Sequence, residues 1–364
     1  MATLEVKVAL QSYPVWVEWG LLARLGETLA PHLAGSQVAL VTDSHVGPLY
    51  GFQASQSLAA AGFEVQQYTL RAGEGAKSLR SCQWLWSQLL AAKFDRSATV
   101  VALGGGVVGD LAGFVAATYL RGVGLVQVPT TLLAQVDSAV GGKTGVNHPF
   151  GKNLIGAFYH PRCVAMDPSV LSTLKKRDLY AGFAEVLKYA VVAHPQLFRV
   201  LSERLEALLS LQDQQTLGWV ITECCQVKAR IVGRDEREQG MRRMLNFGHT
   251  VGHALEAAAK FKGFRHGEAV LVGMRAATYL STRRGLLSEP EFQEVTALLE
   301  RLPCPVDLSR INPQEVMSHI VADKKHHGRR LHFVGLRSIG WPLILADVTK
   351  EELMAAILYA LGGR

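Results

Sequence analysis

Between Ala98 and Asp110 the chain reads ATVVAL and then GGGVVGD, a β-branched run followed by a glycine turn matching G-x-G-x-x-G and an apolar stretch of helical character. A strand buried on both faces reads as such a continuous run. The glycines let the backbone approach a pyrophosphate, and the helix that follows offers unpaired N–H groups and the positive end of its dipole. A unit of this kind demands a mainly parallel sheet covered by helices. The surrounding segments agree. Further strands are expected at Gln37 to Thr42, Phe63 to Leu70, Gly124 to Val128 and Cys163 to Met166, with helices at Leu21 to Leu33, Ser78 to Phe94 and Val107 to Tyr119. From about Lys175 the texture changes to long Leu/Ala/Glu/Arg stretches of helical periodicity. The expected architecture is an α/β N-terminal nucleotide-binding domain over residues 1–176, built on a Rossmann-like parallel sheet, and a mainly α-helical C-terminal domain over 177–364.

Composition narrows the function classes. Hydrophobic residues make up 49% and charged residues 19% of the 364, enough to fill cores and to exclude a disordered chain. The formal net charge of +7 invites a nucleic-acid reading, but the basic residues are interleaved with acids, as in Arg234-Asp235-Glu236-Arg237-Glu238. A small anionic substrate accounts for the balance equally well. Five cysteines without C-x-x-C spacing give neither a disulfide framework nor a cysteine zinc site. No signal peptide is legible at the start and no run approaches the roughly 18 apolar residues of a membrane span, so a reduced, cytoplasmic protein is expected.

The glycine turn is not a standard dinucleotide fingerprint, which sits in the first βα unit with an acid roughly 20 residues on. Here the strand-end acid is Asp43, upstream of the loop. Ala139 to Thr144 (AVGGKT) ends like a P-loop, yet Asp137 stands where that pattern needs glycine, which argues against a nucleotide triphosphatase. What remains from Pro129 to Asn153 is a polar, glycine-rich loop with Thr130, Thr131, Asp137, Lys143, Asn147, Lys152 and Asn153, suited to face a polyanionic ligand. Three of the chain's four asparagines fall in the segments that carry chemistry, at 147, 153 and 246.

The sharpest constellation is Asn246-Phe-Gly-His249-Thr-Val-Gly-His253-Ala-Leu-Glu256, followed by His266-Gly-Glu268. His249 and His253 share a helix face at i, i+4, so spacing alone makes both of them metal ligands, with a third histidine beside a carboxylate close behind. Which three of the four donors are used is left open by spacing. Glu185 and Lys188 stand three apart on an expected helix, a pattern that usually marks a surface contact. Asp323-Lys324-Lys325 reads as a solvated basic patch.

Taken in order, Gly104 to Phe114, Val128 to Asn147, Gly151 to Ala157, Gly182 to Tyr189 (GFAEVLKY), Leu245 to Glu256 (LNFGHTVGHALE) and His266 to Val270 (HGEAV) resemble the 3-dehydroquinate synthase family over most of the chain. The resemblance implies an NAD+-dependent metalloenzyme carrying Zn2+ or Co2+, a homodimer that binds a small phosphorylated sugar acid, with no nucleic-acid or membrane partner. The implied reaction turns 3-deoxy-D-arabino-heptulosonate 7-phosphate into 3-dehydroquinate and phosphate, through transient oxidation, phosphate elimination, reduction, ring opening and intramolecular aldol closure. By this resemblance Glu185, His249 and His266 are the metal ligands, and His253 stands near the substrate instead. The implied NAD+ contacts are Asp43, Glu74, Lys77, Gly104, Gly105, Gly106, Val107, Gly109, Asp110, Thr130, Thr131, Lys143 and Lys152. The implied substrate and catalytic residues are Arg121, supplied by the second subunit, Asp137, Lys152, Asn153, Lys188, Lys228, Arg242, Asn246, His253 and one of Lys324 and Lys325. His45 and Ala139 depart from the family's common Asn and Ser. Two rivals remain: another sugar-phosphate cyclase, and a metal-dependent alcohol or glycerol dehydrogenase.

Overall fold

The computed structural model describes residues 2–9, 11–260, 263–326 and 332–363, with the side chains of 323–326 outside the description. The chain forms two compact units. One comprises the residues up to Leu174 together with Gln215–Arg237, and the other Lys175–Gln214 with the chain from Glu238 onward.

The first unit is an α/β layer structure. In chain order it contains β1 (Ala2–Lys7), β2 (Ser12–Val17), α1 (Leu25–Leu29), β3 (Gln37–Asp43), α2 (Phe52–Ala60), β4 (Glu64–Leu70), α3 (Leu79–Ala91), β5 (Thr99–Gly104), α4 (Gly106–Thr118), β6 (Gly124–Pro129), β7 (Lys143–His148), β8 (Gly151–Phe158) and β9 (Cys163–Met166). Seven strands form one sheet in the order β1-β2-β9-β6-β5-β3-β4. The β1–β2 pair is antiparallel and the other neighbours are parallel. Every residue of β5 and β6 is buried, as their unbroken apolar runs require. The five expected strands appear within a residue or two of their ends. Leu21 to Leu33 is instead short: 3-10 turns at Leu21–Arg24 and Ala30–His32 flank the five-residue α1. The supposed loop from Pro129 to Asn153 is also corrected. It holds a wide helical turn at Ala134–Ser138 and then runs into the antiparallel β7–β8 hairpin.

The sheet order positions a ligand crevice. From β3 the chain moves outward to β4, then returns to the other side of β3 to form β5 and continues to β6. Ligands of doubly wound sheets bind outside the carboxyl ends of the strands at such a reversal. Here those ends are Asp43 on β3 and Gly104 on β5.

Helix α7 (Gln214–Arg234) packs with the first unit, a grouping that a single division at 176/177 does not contain. Gly233 makes that approach, since a Cβ there would meet the Lys7 carbonyl oxygen at 2.6 Å. Lys228 and Cys225 reach Asp137 and the Gln135 carbonyl from the same helix.

The second unit contains α5 (Lys176–Ala193), α6 (Pro195–Leu209), α8 (His249–Ala258), α9 (His266–Arg283), α10 (Glu289–Glu300), α11 (Pro313–His326), the hairpin β10 (Phe333–Ser338) and β11 (Trp341–Leu345), and α12 (Lys350–Ala360). The hairpin is a feature its helical texture concealed. Helix α9 is the hub, with α5, α8, α10, α12 and β10 packed around it. Ser281 on α9 accepts the Leu336 N–H, tying β10 to the hub.

The last helix is pinned by charge. Arg284 donates to both carboxylate oxygens of Glu352 at 2.8 and 2.7 Å and to Asp347 at 2.7 Å. The Arg284 hydrogen bonds, helped by the Thr349 N–H, hold the Glu352 carboxyl down from 4.5 to about 2. A carboxylate with a depressed folded-state pKa contributes stability above its unfolded value and loses it as pH falls toward the folded one. Acid unfolding is therefore expected to steepen between 4.5 and about 2, and Glu352→Gln to flatten that part of the stability–pH curve. A variant whose curve matches the wild type would show that the pair carries nothing.

Candidate metal and nucleotide sites

Close packing through glycine brings the second unit's donor groups together. A Cβ at Gly267 would sit 1.9 Å from the Ala181 carbonyl oxygen, so the first turn of α9 lies directly on α5. A Cβ at Gly273 would sit 1.9 Å from the Gly248 carbonyl oxygen, which sets α9 equally close to the start of α8. Glu185 on α5, His249 and His253 on α8 and His266 on α9 meet as a result.

Their geometry is specific. His249 Nε2 and His266 Nε2 each lie 3.6 Å from Glu185 Oε1. One ring nitrogen from each of His249, His253 and His266 falls within 4.8 Å of the other two. His249 Nδ1 is 3.2 Å from the Phe247 carbonyl oxygen. A carbonyl can only accept, so Nδ1 carries the proton and the Nε2 lone pair is left facing Glu185. Burial, reinforced by Lys188, pulls His249 down to about 3, so the ring is neutral, the form in which histidine binds a metal. Burial also opposes charge on His266, but hydrogen bonds to Glu185 and Glu256 outweigh it and lift that ring to about 10. Glu185, His249 and His266, once an ion displaced the proton that the carboxylates hold on His266, make a donor set of the kind that binds a catalytic divalent ion.

Glu185 and Lys188 are not the surface contact that their spacing usually marks. Both are buried, at 0% and 2% exposure, and the Lys188 ammonium is bonded to Glu185 Oε2. Glu268, the carboxylate beside His266 and so a rival donor by sequence, faces elsewhere. Arg177 holds it bidentately at 2.6 and 2.8 Å, and it accepts the Arg265 N–H to cap its own helix. Asn246 donates to Glu238 at 2.6 Å, and Arg242 is buried at 4% exposure nearby in sequence. Glu238 is a polar partner that motif spacing gave no reason to single out. Lys324 and Lys325 lie on α11 with side chains outside the described residues.

In the first unit Asp43 and Gly104 end the neighbouring strands β3 and β5. Asp43 Oδ1 accepts from the His45 and Val46 N–H groups at 2.8 and 3.0 Å, closing the turn beyond β3 through backbone groups that any residue at 45 supplies. Helix α4 starts at Gly106 with no side-chain cap on its first N–H groups. Thr130 follows β6 and bonds to Gly104 through its N–H, while its buried hydroxyl has no hydrogen-bond partner among the described residues. Thr131 stands against Gly105, where a Cβ would meet its methyl group at 3.1 Å. A cradle of small residues, open helix N–H groups and an orphaned hydroxyl fits a dinucleotide.

A polar chain connects this region to the hairpin. Lys77 Nζ lies 2.6 Å from Asp110 and bonds Asn153 Oδ1, the Asn153 N–H donates to Asn147, and Asn147 donates to Glu74 at 2.7 Å. Lys228 Nζ lies 2.6 Å from Asp137 Oδ1. Lys143 is exposed and Lys152 half-buried. Arg121 is exposed in the middle of a run of three residues with positive φ, 48° at Leu120, 70° at Arg121 and 124° at Gly122.

Two family models match this chain, 3-dehydroquinate synthase N-terminal over residues 67–181 and 3-dehydroquinate synthase C-terminal over 182–326. The chain belongs to the 3-dehydroquinate synthase family. A curated 3-dehydroquinate synthase of Desulforamulus reducens is 44% identical over 98% of this chain and 99% of its own length. Among solved structures, the 2-epi-5-epi-valiolone synthase of Streptomyces hygroscopicus subsp. jinggangensis, with NAD+ and Zn2+ bound, is 32% identical, with a TM-score of 0.87 over 97% of this chain and 98% of that one. A 2-deoxy-scyllo-inosose synthase complexed with carbaglucose-6-phosphate, NAD+ and Co2+ is 27% identical, with a TM-score of 0.89 over 98% and 99%. The fold is that of the 3-dehydroquinate synthase family. Among the described residues no helix is long and apolar enough to cross a membrane.

Proposed function

We propose that this chain catalyses the 3-dehydroquinate synthase reaction, converting 3-deoxy-D-arabino-heptulosonate 7-phosphate to 3-dehydroquinate and phosphate with NAD+ and a divalent metal. The observation that carries the reading is the buried meeting of His249 Nε2 and His266 Nε2 on Glu185 Oε1, in a chain 44% identical to a 3-dehydroquinate synthase over nearly its whole length.

Glu185, His249 and His266 hold the ion. When bound, Zn2+ or Co2+ supplies Lewis-acid stabilisation of negative charge developing on substrate oxygens, and NAD+ supplies a reversible hydride acceptor. Lys188 fixes the Glu185 carboxylate from its second oxygen. His253, with its ring centroid 5.3 Å from that of His249, shuttles protons at the same centre. Asp43, the Gly104, Gly105, Gly106 turn with Val107, Gly109 and Asp110, and Thr130 and Thr131 would hold the dinucleotide, the positive N-terminal end of α4 favouring its negative charge. Glu74, Lys77 and Lys143 complete that set. Lys152, Arg242 and one of Lys324 and Lys325 neutralise the substrate's phosphate and carboxylate through charge-assisted hydrogen bonds. Asn153 and Asn246 bond its hydroxyls, and Lys228 with Asp137 orients it. Arg121, exposed on this subunit, serves a second copy in a homodimer. The protein is read as cytoplasmic, in keeping with free cysteines at 82, 163, 224, 225 and 304.

Purified protein loaded with Zn2+ or Co2+ and NAD+ is expected to form inorganic phosphate and 3-dehydroquinate in equal amounts from the heptulosonate phosphate. Chelation is expected to stop both, and added metal to restore both. A metal-loaded preparation that releases no phosphate overturns the reading.

A further inference from the structure

His266 is held from both sides. Its Nε2 faces Glu185 Oε1 at 3.6 Å, and its Nδ1 lies 3.3 Å from Glu256 Oε2. An ionised carboxylate accepts and does not donate, so the bond places a proton on Nδ1 and aims Nε2 at the Glu185 side. Glu256 stands seven residues after His249 on α8, two helical turns on and therefore on the same face. One helix thus carries a metal-facing imidazole and the carboxylate that orients the imidazole of another helix. The two imidazoles are treated differently, since His249 leans on the neutral Phe247 carbonyl and His266 on a carboxylate. A carboxylate partner fixes ring orientation and raises the basicity of a ligating histidine. At 6% exposure, Glu256 is sheltered from water that would otherwise compete for that bond.

We propose that Glu256 is a positioning residue for the metal centre, setting the tautomer, orientation and donor strength of His266. This rests on the assignment of Glu185, His249 and His266 as ligands. The test uses full-length Glu256→Ala and Glu256→Gln with Co2+ as probe, reading affinity by chelator competition and ligand geometry by the cobalt absorption spectrum. Glu256→Ala is expected to weaken Co2+ binding about 10- to 100-fold and to shift the spectrum. Glu256→Gln, whose amide oxygen still accepts the Nδ1–H, is expected to lose less affinity than Glu256→Ala while still shifting the spectrum. NAD+ affinity and the far-ultraviolet circular dichroism of the metal-free protein are expected to stay at wild-type values, which a general packing defect would not allow. If Glu256→Ala fails to fold, Glu256→Gln decides alone. Wild-type affinity and spectrum in Glu256→Gln overturn the proposal. A wild-type chain that takes up no Co2+ overturns the ligand assignment itself, a distinguishable result.

Discussion

His249→Ala is expected to yield a folded protein that holds no stoichiometric zinc or cobalt and forms product at least about 10³-fold more slowly, since losing several kcal/mol of charge stabilisation has that consequence for a rate. NAD+ affinity is expected to survive, because the β3/β5 crevice belongs to the other compact unit. The choice of residue matters. Removing Glu185 would strand the buried Lys188 ammonium, and breaking a buried pair costs about 3–5 kcal/mol of stability. His249 is neutral in the metal-free protein, so its truncation leaves no uncompensated charge. Metal content by elemental analysis, NAD+ titration and product formation on one preparation check the prediction, and full activity in the metal-free variant contradicts it.

Gly267→Ala is expected to damage the same centre without touching a donor. The added methyl would lie 1.9 Å from the Ala181 carbonyl oxygen and 2.7 Å from Ala181 Cα, both backbone atoms that cannot rotate away. Helices α5 and α9 must separate, and the change carries His266, one residue away, off Glu185. In an exposed helix the substitution would gain about 1 kcal/mol. Here overpacking of about 1–3 kcal/mol or more opposes that gain. A lower unfolding midpoint together with weaker metal binding is expected, measured by thermal unfolding and chelator competition. Gly218→Ala is the control: its methyl meets Trp19 Nε1 at an ordinary 3.6 Å, and the helix propensity gain stands unopposed. Equal midpoints and metal affinities for Gly267→Ala and the wild type would remove the close helix contact from the account.

What the sequence disclosed follows from how local each signal is. Buried parallel strands such as Thr99–Gly104 and Gly124–Pro129 announce themselves as unbroken apolar runs. The hairpin of Lys143–His148 and Gly151–Phe158 does not, because β8 is largely exposed and both strands are rich in glycine and polar residues, the composition of a loop. Helix α2 escaped because its apolar face amounts to little more than Ala54 and Leu58. Among the candidate metal ligands the i, i+4 pair of histidines drew attention, yet the carboxylate on which two imidazoles converge is Glu185, on a helix far upstream. Its pairing with Lys188 looks like a surface contact until both are seen to be buried. Glu256 and Glu268 are equally placed beside histidine motifs in sequence, and side-chain direction alone separates them. One turns to His266 and the other to Arg177.

The central claim is that the hydride taken from substrate is returned before product leaves. Its most direct test follows NADH absorbance and inorganic phosphate in one reaction of metal-loaded protein, NAD+ and the heptulosonate phosphate. The account predicts phosphate accumulating over many turnovers with no net NADH. NADH rising in step with substrate consumption, or consumption without phosphate release, would contradict it and mark a dehydrogenase on the same scaffold.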